Sequence, residues 1–416
     1  DRPNERTNAR CAFVSTNSIT QGEQVGALWG WLLAQGVHIH FAHRTFAWSN
    51  EARGKAAVHC VIVGFGLQDL PGKVIYEYAD IKGEPTAVPA SNINPYLVDA
   101  PDVVVPRRSK PICLVPEIGV GNKPIDDGNY LFTTAERDAF IALEPASAKW
   151  FRRWLGADEF LHGYERWCLW LGDTPPAELR AMPEAMKRVQ TVKEFRQASK
   201  SAPTKKLAAM PTRFHVEFFP SGNYLAIPCV SSERRPYIPL GFLDAGTLTS
   251  DRMRLVPDAS LVHFGVLHSS MHMAWVQRVC GRLESRFLYS AHIVYNNFPW
   301  PFTPADAAAQ TPDAQVQKAQ AAIEAAAQAV LDARAAHPGS SLADLYDPLT
   351  MPANLLKAHQ KLDAAVDQAY QLAGGPKAYA SDADRVAFLF TLYQQQSSVL
   401  LPAAAAKKRA RRAPAS

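Results

Sequence analysis

The chain has no two cysteines close enough in sequence to share a metal. Its six, Cys11, Cys60, Cys113, Cys168, Cys229 and Cys280, stand 49 to 61 residues apart. There is no CxxC pair and no finger or ribbon spacing, so no metal site is expected. Thiols this dispersed read as reduced and mostly buried. No apolar run reaches about 18 residues, which argues against a membrane span. The opening DRPNERTNAR is too polar for a signal peptide. The cytoplasm is the expected compartment. Neither sign of charge dominates: 44 Lys and Arg face 39 Asp and Glu, a net charge of +5. That mild basicity does not by itself identify a nucleic-acid partner. Hydrophobic residues at 47% exclude global disorder, and 416 residues imply two or three domains.

The usual catalytic strings are missing as well. There is no Walker A sequence and no GxSxG elbow. GFG (64–66) follows a strand-like run, but no helix or further glycine comes after it, so it is not a dinucleotide fingerprint. His268 and His272 are four apart, yet Ser269 stands where an HExxH glutamate would be. They read as two partly buried imidazoles at a helix start. NINPYL (92–97) resembles the NPPY loop of amino-methyltransferases. It has one proline and sits in a proline-rich connector, so it reads as a turn.

What is present divides the chain in three. CAFVST (11–16) predicts a short buried strand. GEQVGALWGWLLAQ (22–35) carries Val25, Leu28, Trp29, Leu32 and Leu33 at helical spacing and is stopped by Gly36. VHIHFA (37–42) and AAVHCVIVGFG (56–66) predict two more strands around the polar SNEARGK (49–55). This is the tail of an α/β sheet rather than a complete one, and the chain opens on Asp1, which suggests the C-terminal piece of something longer. Residues 85–127 read as a connector with short strands such as ICLV (112–115). Residues 134–171 look helical, with Trp150, Phe151, Trp154, Phe160, Tyr164, Trp167 and Trp170 as core. A charged helix is expected over 177–199. Short strands follow over 213–300, interrupted by one helix at 271–283. Ala-rich helices then form a bundle over 305–336, 352–372 and 382–400, and AAAAKKRARRAPAS reads as a disordered tail with five basic residues in 407–412.

FVSTNSITQGEQ (13–24), FAHRTFAWSNEARGKAAVHCVIVGF (41–65), NINPYLVD (92–99), ERWCLWL (165–171), SSERRPYIP (231–239), HFGVLHSSMHMAW (263–275), GRLESRFLYS (281–290), IVYNNFPWP (293–301) and LYDPLTMPANLLKAHQKLDAAVDQAY (345–370) are all similar to one family. The chain resembles the C-terminal half of the MmeI-type (type IIL restriction–modification) adenine-specific DNA methyltransferases. The resemblance implies an α/β remnant of a class I methyltransferase sheet over 1–90: its fifth strand, the next helix, then an antiparallel pair. It implies a connector and α+β target-recognition domain over 91–301, and a C-terminal helical bundle with its basic tail over 302–416. The parent would be a site-specific adenine methyltransferase using S-adenosyl-L-methionine on double-stranded DNA. In the family, the glycine-rich cofactor loop and the NPPY loop lie upstream of Phe13, as does any nuclease domain. Neither loop is in these residues, so the chain alone is expected to hold no cofactor tightly and to be inactive. Its partners would be DNA and that N-terminal region.

The resemblance also implies site residues. Phe46, on the loop before the last strand, would stack on the flipped base, with Trp48 as the alternative. An extruded adenine gains about 1–3 kcal/mol from an aromatic face. Glu284 and Arg286, two apart and on one face if in a strand, would together read one base pair. A carboxylate accepts from cytosine N4, and Arg donates to guanine O6 and N7. Arg234 and Arg235 are candidates for base or phosphate contacts. Lys200, Lys205 and Lys206, in a stretch without an acid from Glu194 to Glu217, are phosphate candidates. The competing function is a stand-alone DNA-binding specificity module without catalysis.

Overall fold

The computed structural model describes residues 9–48, 58–302 and 313–410, with side chains through Ser397. SNEARGK (49–55) lies outside the described residues, as do the side chains of 407–410 and all of 411–416, and with them the basic tail's charges. In order, β1 (Arg10–Thr16), α1 (Glu23–Ala34), β2 (His38–Trp48), β3 (Val58–Gly66), β4 (Lys73–Glu77) and β5 (Thr86–Ala90) come first. Then follow β6 (Gly119–Val120), β7 (Leu131–Thr133), α2 (Thr134–Leu143), β8 (Phe151–Leu155), α3 (Ala157–His162), β9 (Arg166–Leu169), α4 (Pro176–Arg180), α5 (Pro183–Ala198) and α6 (Ala202–Leu207). Next are β10 (Tyr224–Pro228), β11 (Val230–Ser231), β12 (Gly241–Leu243), β13 (Thr247–Thr249), β14 (Met253–Pro257), α7 (Leu261–Leu267), α8 (Ser270–Val279), β15 (Gly281–Leu283) and β16 (Arg286–Leu288). The last helices are α9 (Ala314–Ala335), α10 (Leu342–Leu345), α11 (Ala353–Tyr370) and α12 (Asp382–Ala410). Mixed α/β structure with several small sheets thus gives way to C-terminal helices.

The chain forms two compact units. The first takes Asp1–Val115, Gly265–Ala326 and Gln360–Ser416. Its sheet has the order β1-β3-β2-β4-β5, with β3 antiparallel to both neighbours and β2 parallel to β4. α1 buries Val25 and Trp29, and the Trp29 indole N–H donates to the Ile19 carbonyl at 2.8 Å. Gly36 ends the turn after α1 at φ +78°, open to glycine without a Cβ clash. The glycine of GFG has a packing reason: a Cβ on Gly64 would meet the Phe41 ring at 2.0 Å. β1 is an edge strand, so the expectation of a buried strand fails there: Phe13 and Val14 remain 48% and 56% exposed. NINPYL is a turn. The Asn94 Oδ1 accepts from the N–H groups of Tyr96 and Val98 at 3.0 and 3.2 Å, and Leu97 lies at φ +56°.

The second unit takes Pro116–Phe264 and Ala327–His359. It holds two four-stranded sheets, β12-β10-β14-β6 and β13-β8-β9-β7. Residues 134–171 are therefore helical at α2, at α3 and in a short 3-10 turn over Pro145–Trp150, while β8 and β9 take the rest of the expected helix. Phe151 and Trp154 are spaced as on a helix, but Arg152 and Arg153 between them pair with Cys168 and Trp167 across the ladder. The aromatic residues do form core: Phe132, Phe151, Trp154, Trp170 and Phe214 pack together with Val189 and Val192 of α5, whereas Tyr164 is 47% exposed. ICLV (112–115) is no strand; Ile112 N–H donates to the Asn296 carbonyl of the first unit's own interior at 2.9 Å. The helix expected at 271–283 is α8 and ends at Val279, with the separate α7 before it. His268 and His272 are fully rather than partly buried. The near-heptad Val316, Ile323 and Val330 are buried.

Arg196 explains part of the basic stretch. It is completely buried, and its guanidinium donates to the carbonyls of Pro124, Ile125, Leu207, Met210 and Arg213 at 2.8 to 3.3 Å. The cation is thus satisfied by backbone dipoles, with the Asp126 carboxylate acting on it through space, and ties three segments together.

Candidate nucleic-acid interface

Phe46 lies within β2, not on a loop. β2 runs on past a register shift between His43 and Phe46, and Phe46 pairs with Cys60 of β3. The bulge re-aims the side chains that follow it. Phe46 stacks on Tyr78 with ring centroids 5.4 Å apart and lies 6.2 Å from Trp48. His43 stacks on Tyr76 at 4.3 Å, and its Nδ1 is 2.9 Å from the Tyr78 hydroxyl. Phe46 is half-buried and Trp48 is 46% exposed, so Trp48 has the more open ring. Burial holds the His43 imidazole below its usual pKa; burial and then Glu84 raise that of the Tyr78 phenol. Tyr76, Tyr78 and His43 were not among the sequence candidates. The signal was there: HIHFAHRTFAW and VIYEY place aromatic rings at alternating or near-alternating positions of two neighbouring strands.

Between these aromatic residues sits Arg44. It pairs with Glu77, and its Nε donates to the Leu97 carbonyl at 2.9 Å, so β2 grips the NINPYL turn. Burial, and next the nearby Arg278, pull its pKa down, while Glu77 pulls it up.

Glu284 and Arg286 do not share a strand. β15 and β16 form a hairpin in which Leu283 faces Arg286, so Glu284 and Ser285 are its two-residue turn. Glu284 takes φ +58° there, the left-handed conformation that such tight hairpin turns require. The pair nevertheless meets: Arg286 Nη2 is 2.8 Å from Glu284 Oε2. Both are solvent-exposed, with the Glu284 side chain at 77%, so a carboxylate and a guanidinium project side by side at a hairpin tip.

In the second unit, Arg234 and Arg235 follow Ser232 in a turn; Arg234 N–H donates to the Ser232 hydroxyl at 3.2 Å. Arg234 is exposed. Arg235 is half-buried, and that burial lowers its pKa against the pull of Asp347. Lys200, Lys205 and Lys206 are exposed after α5 and in the last turn of α6. Arg213, from the same stretch, is committed to Asp173 and Glu217 at 3.1 and 2.6 Å. Among the described residues no group of three or more His, Cys, Asp or Glu could hold a metal ion, and no helix is long and apolar enough to cross a membrane.

Comparison with known proteins gives this arrangement a context. Three family models match in succession: "MmeI, DNA-methyltransferase domain" over residues 3–77, "MmeI, target recognition domain" over 99–302 and "MmeI, C-terminal domain" over 312–401. DNA methyltransferase A of Bacillus subtilis (strain 168) is 39% identical over 391 residues, 94% of this chain and 42% of that protein. A solved structure, that of the type IIL restriction–modification enzyme MmeI in complex with DNA, is 51% identical with a TM-score of 0.83, covering 94% of this chain and 50% of that one. The class these define is that of restriction–modification methyltransferases carrying a target recognition domain. The chain belongs to the MmeI family. It spans about half the length of the relatives it matches.

Proposed function

We propose that the chain is the DNA-recognising portion of an S-adenosylmethionine-dependent N6-adenine DNA methyltransferase of a restriction–modification system, acting on double-stranded DNA in the cytoplasm. The observation that carries this is the succession of the three family matches along one chain. The order β1, α1, β2, β3, with β2 and β3 antiparallel, agrees with the last strands of a class I methyltransferase sheet. We assign residues 1–90 to that sheet, 91–301 to connector and target recognition, and 302–416 to the helical C-terminal domain.

The residues present do not fit the cofactor. Gly64 and Gly66 lie within β3, where the Phe41 and His40 rings take the space beside them and leave no cradle for an anion or a ribose. Methyl transfer would therefore depend on residues outside this chain, and the chain alone would be inactive. What its residues offer is recognition. Phe46, or the more open Trp48, would receive the extruded adenine face-on. The Glu284 carboxylate would accept from cytosine N4, and the Arg286 guanidinium would donate to the paired guanine. Arg234 would contact a base edge or phosphate, with Arg235 the more constrained second. Lys200, Lys205 and Lys206 would neutralise phosphates and set register without reading sequence.

The test is affinity selection of the 416-residue chain on a random duplex library at two salt concentrations, beside the double variant Glu284→Lys/Arg286→Asp. A motif in which one C·G position becomes G·C in the variant supports the assignment. Salt-dependent binding without any motif overturns it for the isolated chain, and absence of binding at low salt overturns the DNA-recognition role itself.

A further inference from the structure

The loop carrying Arg234 is held from below by a buried polar chain. Arg334 of α9 donates from Nη1 to the Leu240 carbonyl at 2.6 Å and from Nε to the Tyr346 hydroxyl at 2.7 Å. That hydroxyl lies 2.8 Å from His359 Nε2. The His359 ring in turn stacks on Tyr237, with centroids 3.9 Å apart and planes 19° apart. The Arg334 guanidinium also lies 4.8 Å from the Tyr346 ring centre. Tyr237, Leu240, Tyr346 and His359 are all buried. The segment 237–240 is therefore fixed at two points, one side chain and one carbonyl, by residues far along the chain.

Directional bonds do here what apolar packing does not. Hydrophobic contact would bury the same surface at many loop geometries, whereas a hydrogen-bonded chain in low dielectric fixes one. Just before Tyr237, the two arginines part company. Arg235 is half-buried with Asp347 as its opposite charge, and Asp347 directly follows Tyr346. Arg234 stays exposed.

We infer that Arg334, Tyr346 and His359 are positioning residues for DNA recognition, fixing the loop 232–240 so that Arg234 rather than Arg235 is presented to DNA. This rests on the DNA-contacting role of that loop proposed above. The residues that anchor the loop belong to the stretch matched by the C-terminal domain model, while the loop lies in the stretch matched by the target recognition model. A helical segment that touches no base would then contribute to which DNA is bound.

The experiment is a double-mutant cycle on duplex affinity at one salt concentration, using the whole chain and the motif obtained by selection. The variants are Arg234→Ala, Tyr346→Phe and both together, each checked for folding by thermal melting. Tyr346→Phe removes only the hydroxyl that joins Arg334 to His359. Arg334→Lys, which keeps charge and loses the fork, replaces it if it does not fold. Arg234→Ala is expected to weaken binding about fivefold or more. Tyr346→Phe should cost about fivefold alone but under about twofold when Arg234 is already gone. The same loss in both backgrounds, or no loss in a folded protein, overturns the positioning role, because a purely structural effect does not depend on Arg234. No effect of Arg234→Ala would instead overturn the loop's DNA contact, and the positioning role with it.

Discussion

The Glu144 carboxylate caps the first turn of α5: its Oε2 accepts from the Ala185 N–H at 3.0 Å, and its Oε1 from the Glu184 N–H at 2.8 Å. Glu144 is buried, and two otherwise orphaned helix donors depend on it. Replacing it with Ala should cost about 1–2 kcal/mol. Urea denaturation would check this, with Glu144→Gln recovering part of the loss. An unchanged midpoint would mean that water replaces the cap.

Arg196 and the lysines after it should behave oppositely. Arg196→Met takes the donor from five carbonyls, those of Pro124 and Leu207 fully buried, and is expected to destabilise by about 3 kcal/mol or more. Lys205→Ala and Lys206→Ala should leave stability within about 0.5 kcal/mol. If each lysine neutralises one phosphate, its removal lowers the slope of log affinity against log salt by about 0.9. Affinity measured at four salt concentrations separates the two kinds of cation.

Gly64→Ala tests the packing account of GFG. The added methyl would run into the Phe41 ring, and displacing that ring should cost about 1–3 kcal/mol. A neutral or stabilising result in thermal melting would show that the ring moves aside freely.

His272 should make stability depend on acid. It is buried with Nε2 3.0 Å from the Tyr289 hydroxyl, and burial pushes its pKa down to about 3. The unfolded chain takes up a proton on this residue below about pH 6.5 while the folded chain does not. Stability contributed by the neutral ring is therefore full above pH 6.5 and is lost progressively as pH falls toward 3. Within that window the slope is about 1.4 kcal/mol per pH unit for one proton. His272→Gln should flatten the dependence by that amount in denaturation curves between pH 4.5 and 7; an unchanged slope would place the proton uptake elsewhere.

Local order was legible where periodicity and punctuation agreed. α1 followed from Val25, Trp29 and the stop at Gly36, and the strands around it from short apolar runs. The stretch 151–155 was not legible, because Phe151 and Trp154 imitate a helical face; only pairing of β8 with β9 and β13, remote in sequence, selects a strand. The turn at Glu284 gave no sign of itself either. Tight hairpins are announced by Asn or Gly, and here Glu and Ser take the turn. β5 contains Pro89, which reads against a strand but is tolerated because β5 is an edge. For the candidate site, the residue types were legible and their settings were not: Arg196 looked like its neighbours Lys205 and Lys206, and nothing short of burial distinguishes an internal guanidinium from an external ammonium.

Each compact unit is assembled from separated stretches of chain, and this bears on synthesis. The first unit draws on residues up to 115 and again from 360 onward. Emerging from a ribosome at roughly 5–20 residues per second, the early strands would wait on the order of ten seconds or more for their last helices. Truncation after residue 302 would leave both units short of a piece, so an exchange of recognition segments between relatives would have to carry 327–359 along with the loop it supports.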